Sequence, residues 1–182
     1  MAIDGELFRR VLGYFPTGVA VVTSLATPNG GRASVPWGTT VNAFSSVSLD
    51  PPLVLVCIGR ERSIHPIVRR SGRFAVNILA EDAQALSDCF AGAPVTPSRA
   101  EFCGASHHPG PFGLPILDAA VAAFECSVEA AHDAGDHTIF IGRVESAEAH
   151  TDQPAFPLLY YRGHYLRIER AAPADLLGKP ES

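Results

Sequence analysis

The apolar residues Leu7, Val11, Leu12 and Phe15 recur at helical spacing, then give way at Pro16 and Gly18 to the unbroken run Val19-Ala20-Val21-Val22. This change of period predicts a short helix over 7–15 followed by a strand over 19–25. Further strands are predicted over 33–44, 53–58, 74–79, 122–132, 138–149 and 165–169, where β-branched and aromatic residues cluster between turn residues. Asn29-Gly30-Gly31 is a hairpin-turn signal, and Asp50-Pro51-Pro52 forces a sharp change of direction between two strands. Two more helices are expected. One covers 64–70, with Ser63 as its N-cap and Pro66 in its first turn, and the other covers 83–90 with Asp82 as its N-cap. Many strands, few helices and no strand–helix alternation indicate an α+β chain, mostly β, built on an antiparallel sheet or barrel.

Between Gly92 and Asp118 the chain carries Gly104, Gly110, Gly113 and five prolines, which reads as a long irregular loop, a cover over a ligand in preference to a disordered segment. The stretch 171–182 is small and polar and reads as a flexible tail, so residues 1–170 form the expected single domain. A length of 182 residues, with 47% hydrophobic and 18% charged residues, supports one sizeable core.

No apolar run reaches the roughly 20 residues a bilayer demands. Asp4 and Glu6 ahead of Leu7-Phe8-Arg9-Arg10 do not follow the basic-then-apolar order of a secretion signal, so a cytoplasmic location is expected. A net charge of −5 without a basic patch argues against nucleic acid. Cys57, Cys89, Cys103 and Cys126 contain no C-x-x-C pair and are expected as reduced thiols. His107-His108 lacks a carboxylate or cysteine at ligand spacing, so no metal is expected.

The candidate chemistry lies in the stretch from Gly38 to Cys57. Thr39, Thr40 and Asn42 place donors and acceptors in an extended segment, where they suit the edge of a flat heterocycle. Asn is depleted in strands, so Asn42 calls for a special reason. Neither G-x-G-x-x-G nor a P-loop is present, so phosphate would need another anchor. Ser63 at a helix start, with Arg60 and Arg62 just before it, offers one; the alternative is a plain cap beside a solvated turn. Trp37 suits either stacking on a ring or filling a barrel end.

Five segments in order resemble the short-chain flavin reductases of the FMN-binding split-barrel fold, the reductase components of two-component flavin-dependent monooxygenases. They are Phe15-Pro16-Thr17-Gly18-Val19, then Thr40 to Phe44 followed by Ser48-Leu49-Asp50-Pro51-Pro52-Leu53, then Ser71 to Leu79, Gly135-Asp136-His137-Thr138, and Leu158 to Gly163. Ala43 stands where the family often has Ser, and Arg99 to Gly104 follows the family's Asp-Arg-Phe-x-Gly pattern only loosely.

The resemblance implies a Greek-key-like antiparallel barrel with a few flanking helices. It implies a flavin site at Pro36, Trp37, Gly38, Thr39, Thr40, Asn42, Ala43, Cys57, Ile58, Gly59, Ser63 and Ile64. It also implies nicotinamide contacts at His137, Tyr161 and Arg162, although His137 alone could be a surface residue and Tyr160 and Tyr161 could be dimer packing. The expected activity is NAD(P)H:flavin oxidoreduction, with FMN or FAD and NADH or NADPH as cofactors and His137 as the possible catalytic residue. The expected partners are a monooxygenase served by diffusible reduced flavin and a second copy in a homodimer. The rivals are an oxidase of the same fold that retains its flavin and a non-catalytic flavin-binding module.

Overall fold

A computed structural model describes residues 3–27, 34–92, 102–149 and 156–168. The Asn29-Gly30-Gly31 turn and the 171–182 tail lie outside them. In chain order the described elements are α1 (Gly5–Leu12), β1 (Thr17–Gly18), β2 (Ala20–Ala26), β3 (Val35–Val41), β4 (Phe44–Leu49), β5 (Pro52–Gly59), α2 (His65–Ser71), β6 (Arg73–Leu79) and α3 (Gln84–Phe90). A 3-10 turn (Phe102–Gly104) then precedes β7 (His107–Pro109), β8 (Pro115–Leu117), β9 (Ala120–Ala134), β10 (His137–Ala149), β11 (Leu159–Tyr161) and β12 (His164–Leu166).

Seven strands form one antiparallel sheet in the order β3-β2-β6-β9-β10-β5-β4. Laid flat, its edge strands β3 and β4 would stand about 29 Å apart at the usual strand spacing. Yet only Asn42 and Ala43 separate Val41 from Phe44, a reach of about 11 Å. The sheet must therefore roll into a barrel whose two edges meet at that bend. Register shifts within the β4–β5, β6–β9 and β9–β10 pairs supply the local bending, and Cys57 N donates to Ala43 O at 3.0 Å, tying the bend to β5.

This geometry corrects the expectation of one strand over 33–44. The chain crosses from one sheet edge to the other at Asn42, and Phe44–Leu49 is a separate edge strand. The special reason for Asn42 is that it sits in the crossing and not in a ladder.

Phe74, Phe140, Val22, Val56 and Ile58 fill the barrel interior, while Val19, Val21, Leu79 and Leu117 pack outside it against Phe90 of α3. Because Ala20 to Ser24 of β2 are buried on both faces, the strand starts in the apolar run Val19-Ala20-Val21-Val22 and does not alternate. Gly142 leaves the room that Phe74 occupies, since a Cβ there would approach the ring to 2.5 Å.

The expected irregular loop over 92–118 is in part a built hairpin, β7–β8, held by two buried polar side chains. Asn77 accepts from Leu117 N and donates to Val21 O and Thr23 Oγ1, whose hydroxyl donates to Pro115 O. Glu125, 1% exposed, accepts from Phe112 N, Leu114 N and Ser146 Oγ. Local sequence does not show these long-range anchors.

The helix caps also differ from expectation. Ile64, not Ser63, is the N-cap of α2, and no side chain caps that helix; Ala83, not Asp82, precedes α3. The thiols are corrected as well: Cys89 and Cys103 are joined by a disulfide, while Cys57 and Cys126 are free.

Candidate functional site

The outer face of β3 meets α3 and the 3-10 turn around an open cavity of about 630 Å³. Pro36, Trp37 and Gly38 line one wall, and Cys89, Phe90, Phe102, Cys103, Ala105 and His107 line the rest. Phe102 stands edge-on to both Phe90 and His107, at centroid distances of 5.1 and 4.9 Å. Gly38 is required by this packing, because a Cβ there would come within 2.6 Å of the Phe90 ring. Trp37, 40% exposed, stands at the cavity wall and does not plug a barrel end. A cavity of this size, with Trp37, Phe90, Phe102 and His107 in its walls, fits a flat heterocycle.

Farther along β3, Thr40 Oγ1 donates to Ser87 O at 2.6 Å, so this hydroxyl fastens α3 to the strand and keeps only acceptor capacity for a ligand. Thr39 is buried. Asn42 is exposed and borders two smaller clefts, one with Phe15 to Ala20 and one with Thr40, Ser87, Asp88 and Tyr165. In the first cleft Thr17 Oγ1 is enclosed without a hydrogen-bond partner, a candidate contact that sequence reading passed over.

Cys57 and Ile58 take part differently from the threonines. Burial pushes the Cys57 thiol upward in pKa, so it is not a ready thiolate. Ile58 and Ile64 are each 1% exposed and face the core, so neither offers open surface to a ligand. Gly59 is buried and stands directly opposite His137 in the β5–β10 register.

Two arginines join these pieces. Arg62 Nη1 donates to Ala91 O at 2.9 Å, linking the loop before α2 to the end of α3 and hence to the aromatic cavity. Arg60 N donates to Asp136 O and Arg60 Nη1 to Gly135 O, linking the same loop to the turn that carries His137. Ser63, directly after Arg62, is exposed. The helix start is a poorer anion site than its sequence suggested: His65 N donates to Arg62 O, Ile67 N to Ile64 O, and Pro66 has no N–H. An anion here would be met by the guanidinium groups and the Ser63 hydroxyl once it displaced the Glu61 carboxylate, which lies 3.5 Å from Arg62 Nε.

Beneath this loop, His65 Nε2 lies 2.8 Å from Thr138 Oγ1, which donates to Asp133, itself paired with Arg69. Since the Thr138 hydrogen goes to Asp133, His65 Nε2–H is the donor to Thr138. Burial, and then the Arg69 charge, lowers the His65 pKa, and the Thr138 hydrogen bond lowers that of Asp133. The network fixes α2 against the start of β10. Next to it, Asp136 Oδ1 lies 2.7 Å from His137 Nδ1, a hydrogen bond that lowers the Asp136 pKa. An ionised Asp136 accepts from Nδ1–H and leaves Nε2 of the exposed His137 pointing outward.

Tyr161 ends β11 of a different sheet, β1-β11-β12, and Arg162 starts the turn that follows it; both lie against Gly13 and Tyr14, just after α1. Tyr14 stacks edge-on to Tyr161, and the Arg162 guanidinium lies 4.7 Å over the Tyr14 ring. Within one chain, then, the barrel gathers the flavin candidates and His137, while Tyr161 and Arg162 stand apart from them on the smaller sheet. The disulfide, Phe90, Phe102 and His107 were missed, because only the fold carries residues near 90 and 105 to β3.

A rolled antiparallel sheet with an aromatic slot along one edge and arginines at its end defines a flavin-binding split barrel. The family description "Flavin reductase like domain" matches residues 12–169, and the chain belongs to that family. It is 40% identical to the reductase subunit HsaB of a flavin-dependent monooxygenase from Rhodococcus jostii, over 92% of this chain and 80% of that one. It is 42% identical to the FMN reductase (NADH) SmoA of Agrobacterium fabrum, over 92% and 88%. The solved NADH:FAD oxidoreductase SgcE6 of Streptomyces globisporus, in complex with NAD and FAD fragments, superposes with a TM-score of 0.78 at 32% identity, covering 96% of this chain and 99% of that one.

Proposed function

We propose that this chain oxidises NADH and reduces FMN or FAD, releasing the reduced flavin to a separate monooxygenase. The observation that carries the reading is the continuous set of contacts from the aromatic cavity through Arg62 and Arg60 to His137. Bound flavin would supply the two-electron acceptor for the nicotinamide. The chain's own residues bind and orient. Pro36 to Thr40 with Phe102 hold the ring, the Asn42-Ala43 bend and Cys57 border it with buried Ile58 and Gly59 supporting them from behind, and Arg60, Arg62 and Ser63, set in place by buried Ile64, meet the phosphate end. His137, held by Asp136, offers Nε2 to the nicotinamide carboxamide as an orienting group.

The phosphate anchors are exposed and few, which favours reversible binding over retention of the flavin. Among the described residues no helix is long and apolar enough to cross a membrane, and we place the enzyme in the cytoplasm. A homodimer is part of the proposal. Helix α1 has no buried residue, and Leu7, Phe8, Val11, Leu12 and Phe15 are all exposed, an apolar face that a second copy would cover. Tyr161 and Arg162, beside α1, would then serve a nicotinamide across that interface. Residues 1–170 act as one catalytic domain with 171–182 as an appended tail.

Steady-state NADH oxidation with FMN, FAD or no flavin tests the reaction. A rate that depends on added flavin is expected; NADH oxidation by a tightly retained flavin without addition favours the oxidase, and no oxidation favours the binding module.

A further inference from the structure

Phe102 (φ 47°) and Cys103 (φ 56°) occupy the left-handed region in succession, ahead of Gly104 (φ 62°). Residues with a Cβ are strained there and persist only where their surroundings hold them. Here Cys103 is bonded to Cys89 in the last turn of α3, and Phe102 is stacked between Phe90 and His107. Both sulfur-bearing residues and the Phe102 ring line the 630 Å³ cavity. Both cysteines are only half-buried. Cys103 also borders a second cleft of about 300 Å³, with Asp82, Leu86 and Ala119, so it is approachable from outside the flavin slot. The free cysteines are poor competitors for exchange, because burial raises the Cys57 pKa and pushes the Cys126 thiol up to about 12.

We propose that Cys89–Cys103 is a thiol-exchange site that sets the flavin affinity of the adjoining cavity, tight when the disulfide is closed and weaker when it is open. This rests on the reading of that cavity as the flavin site. In the opening step a thiolate of a dithiol reductant attacks Cys103 Sγ, and Cys89 leaves as thiolate. The second thiol of the reductant then displaces Cys103 and closes its own disulfide. Two electrons and two protons pass to the cysteine pair, and the reductant ends as a disulfide. With the cross-link gone, the strained pair at 102–103 relaxes and the Phe102 wall leaves its place.

The test compares FMN dissociation constants of protein oxidised with glutathione disulfide and protein reduced with dithiothreitol and desalted without air. Alkylation and intact mass report the thiol count. Opening the disulfide should expose two additional thiols and weaken FMN binding by about tenfold, the scale of one released left-handed residue. Cys103→Ser and Cys89→Ser should bind like the reduced protein and ignore dithiothreitol; the two wild-type arms stand even if a variant fails to fold. Ala105→Trp fills the cavity without touching sulfur. If Ala105→Trp weakens FMN binding while thiol state changes nothing, the exchange proposal falls and the flavin site stands. If Ala105→Trp has no effect, the flavin reading falls and takes the proposal with it. Four free thiols after glutathione disulfide treatment would also overturn it.

Discussion

Gly38→Ala adds one methyl group at the tightest point of the candidate site. The new Cβ would lie 2.6 Å from Phe90 Cε1, 2.9 Å from Cδ1 and 3.3 Å from Cζ. Ordinary carbon contacts begin near 3.5 Å, so the ring must retreat by about 1 Å. Phe90 is only 7% exposed and packed among Val19, Val21 and Leu79, which leaves its displacement toward Phe102 and the cavity. Overpacking of this kind costs about 1–3 kcal/mol, which for a chain of this length lowers the melting temperature by about 2–12 °C. The same displacement narrows the slot, so flavin affinity should fall together with stability. Thermal melts and fluorescence titration with FMN read both quantities. Phe90→Leu in the Gly38→Ala background restores space and should recover part of each loss, the non-additivity expected of touching residues. A Gly38→Ala protein with unchanged melting temperature and unchanged FMN affinity would refute the packing of β3 on α3 and its link to the ligand.

Arg62→Ala removes both a cation and the strap to Ala91; FMN binding should weaken roughly tenfold or more while riboflavin, lacking phosphate, loses less, and parallel titrations check this. His137→Ala should raise the Michaelis constant for NADH more than that for flavin, and equal changes in steady-state kinetics would remove it from the nicotinamide side. His65 has a lowered folded pKa, so the unfolded chain takes up its proton first; stability should be complete above roughly pH 6.5 and decline as pH falls through the window below it. His65→Gln, which keeps a donor for Thr138 but does not titrate, should flatten that decline in melts at stepped pH.

The strand-rich class, the Asp-Pro-Pro corner and the order of the long strands were legible in the sequence, because β-branched runs and turn residues are local signals. The break at Asn42-Ala43 was not. It exists because β3 and β4 are opposite edges of one rolled sheet, a property of the whole topology. The cap assigned to Ser63 failed for a local reason: the chain turns through Arg62 O to His65 N before the helix begins, and this shifts the cap to Ile64. The β3 side of the candidate site was readable from its polar residues and motif. The Phe90, Phe102 and disulfide side was hidden, since α3 reaches β3 through long-range packing and the Thr40–Ser87 hydrogen bond, and residues 102–107 reach it beside the hairpin anchored by Asn77 and Glu125.

The placement of flavin along β3 is tested most directly by the crystal structure of the protein with FMN. Ring density is expected against Trp37, Gly38 and Phe102, with the phosphate within hydrogen-bonding reach of Arg60, Arg62 or Ser63. FMN density confined to the β1-β11-β12 face, or to any surface that leaves the β3 cavity empty, would contradict it.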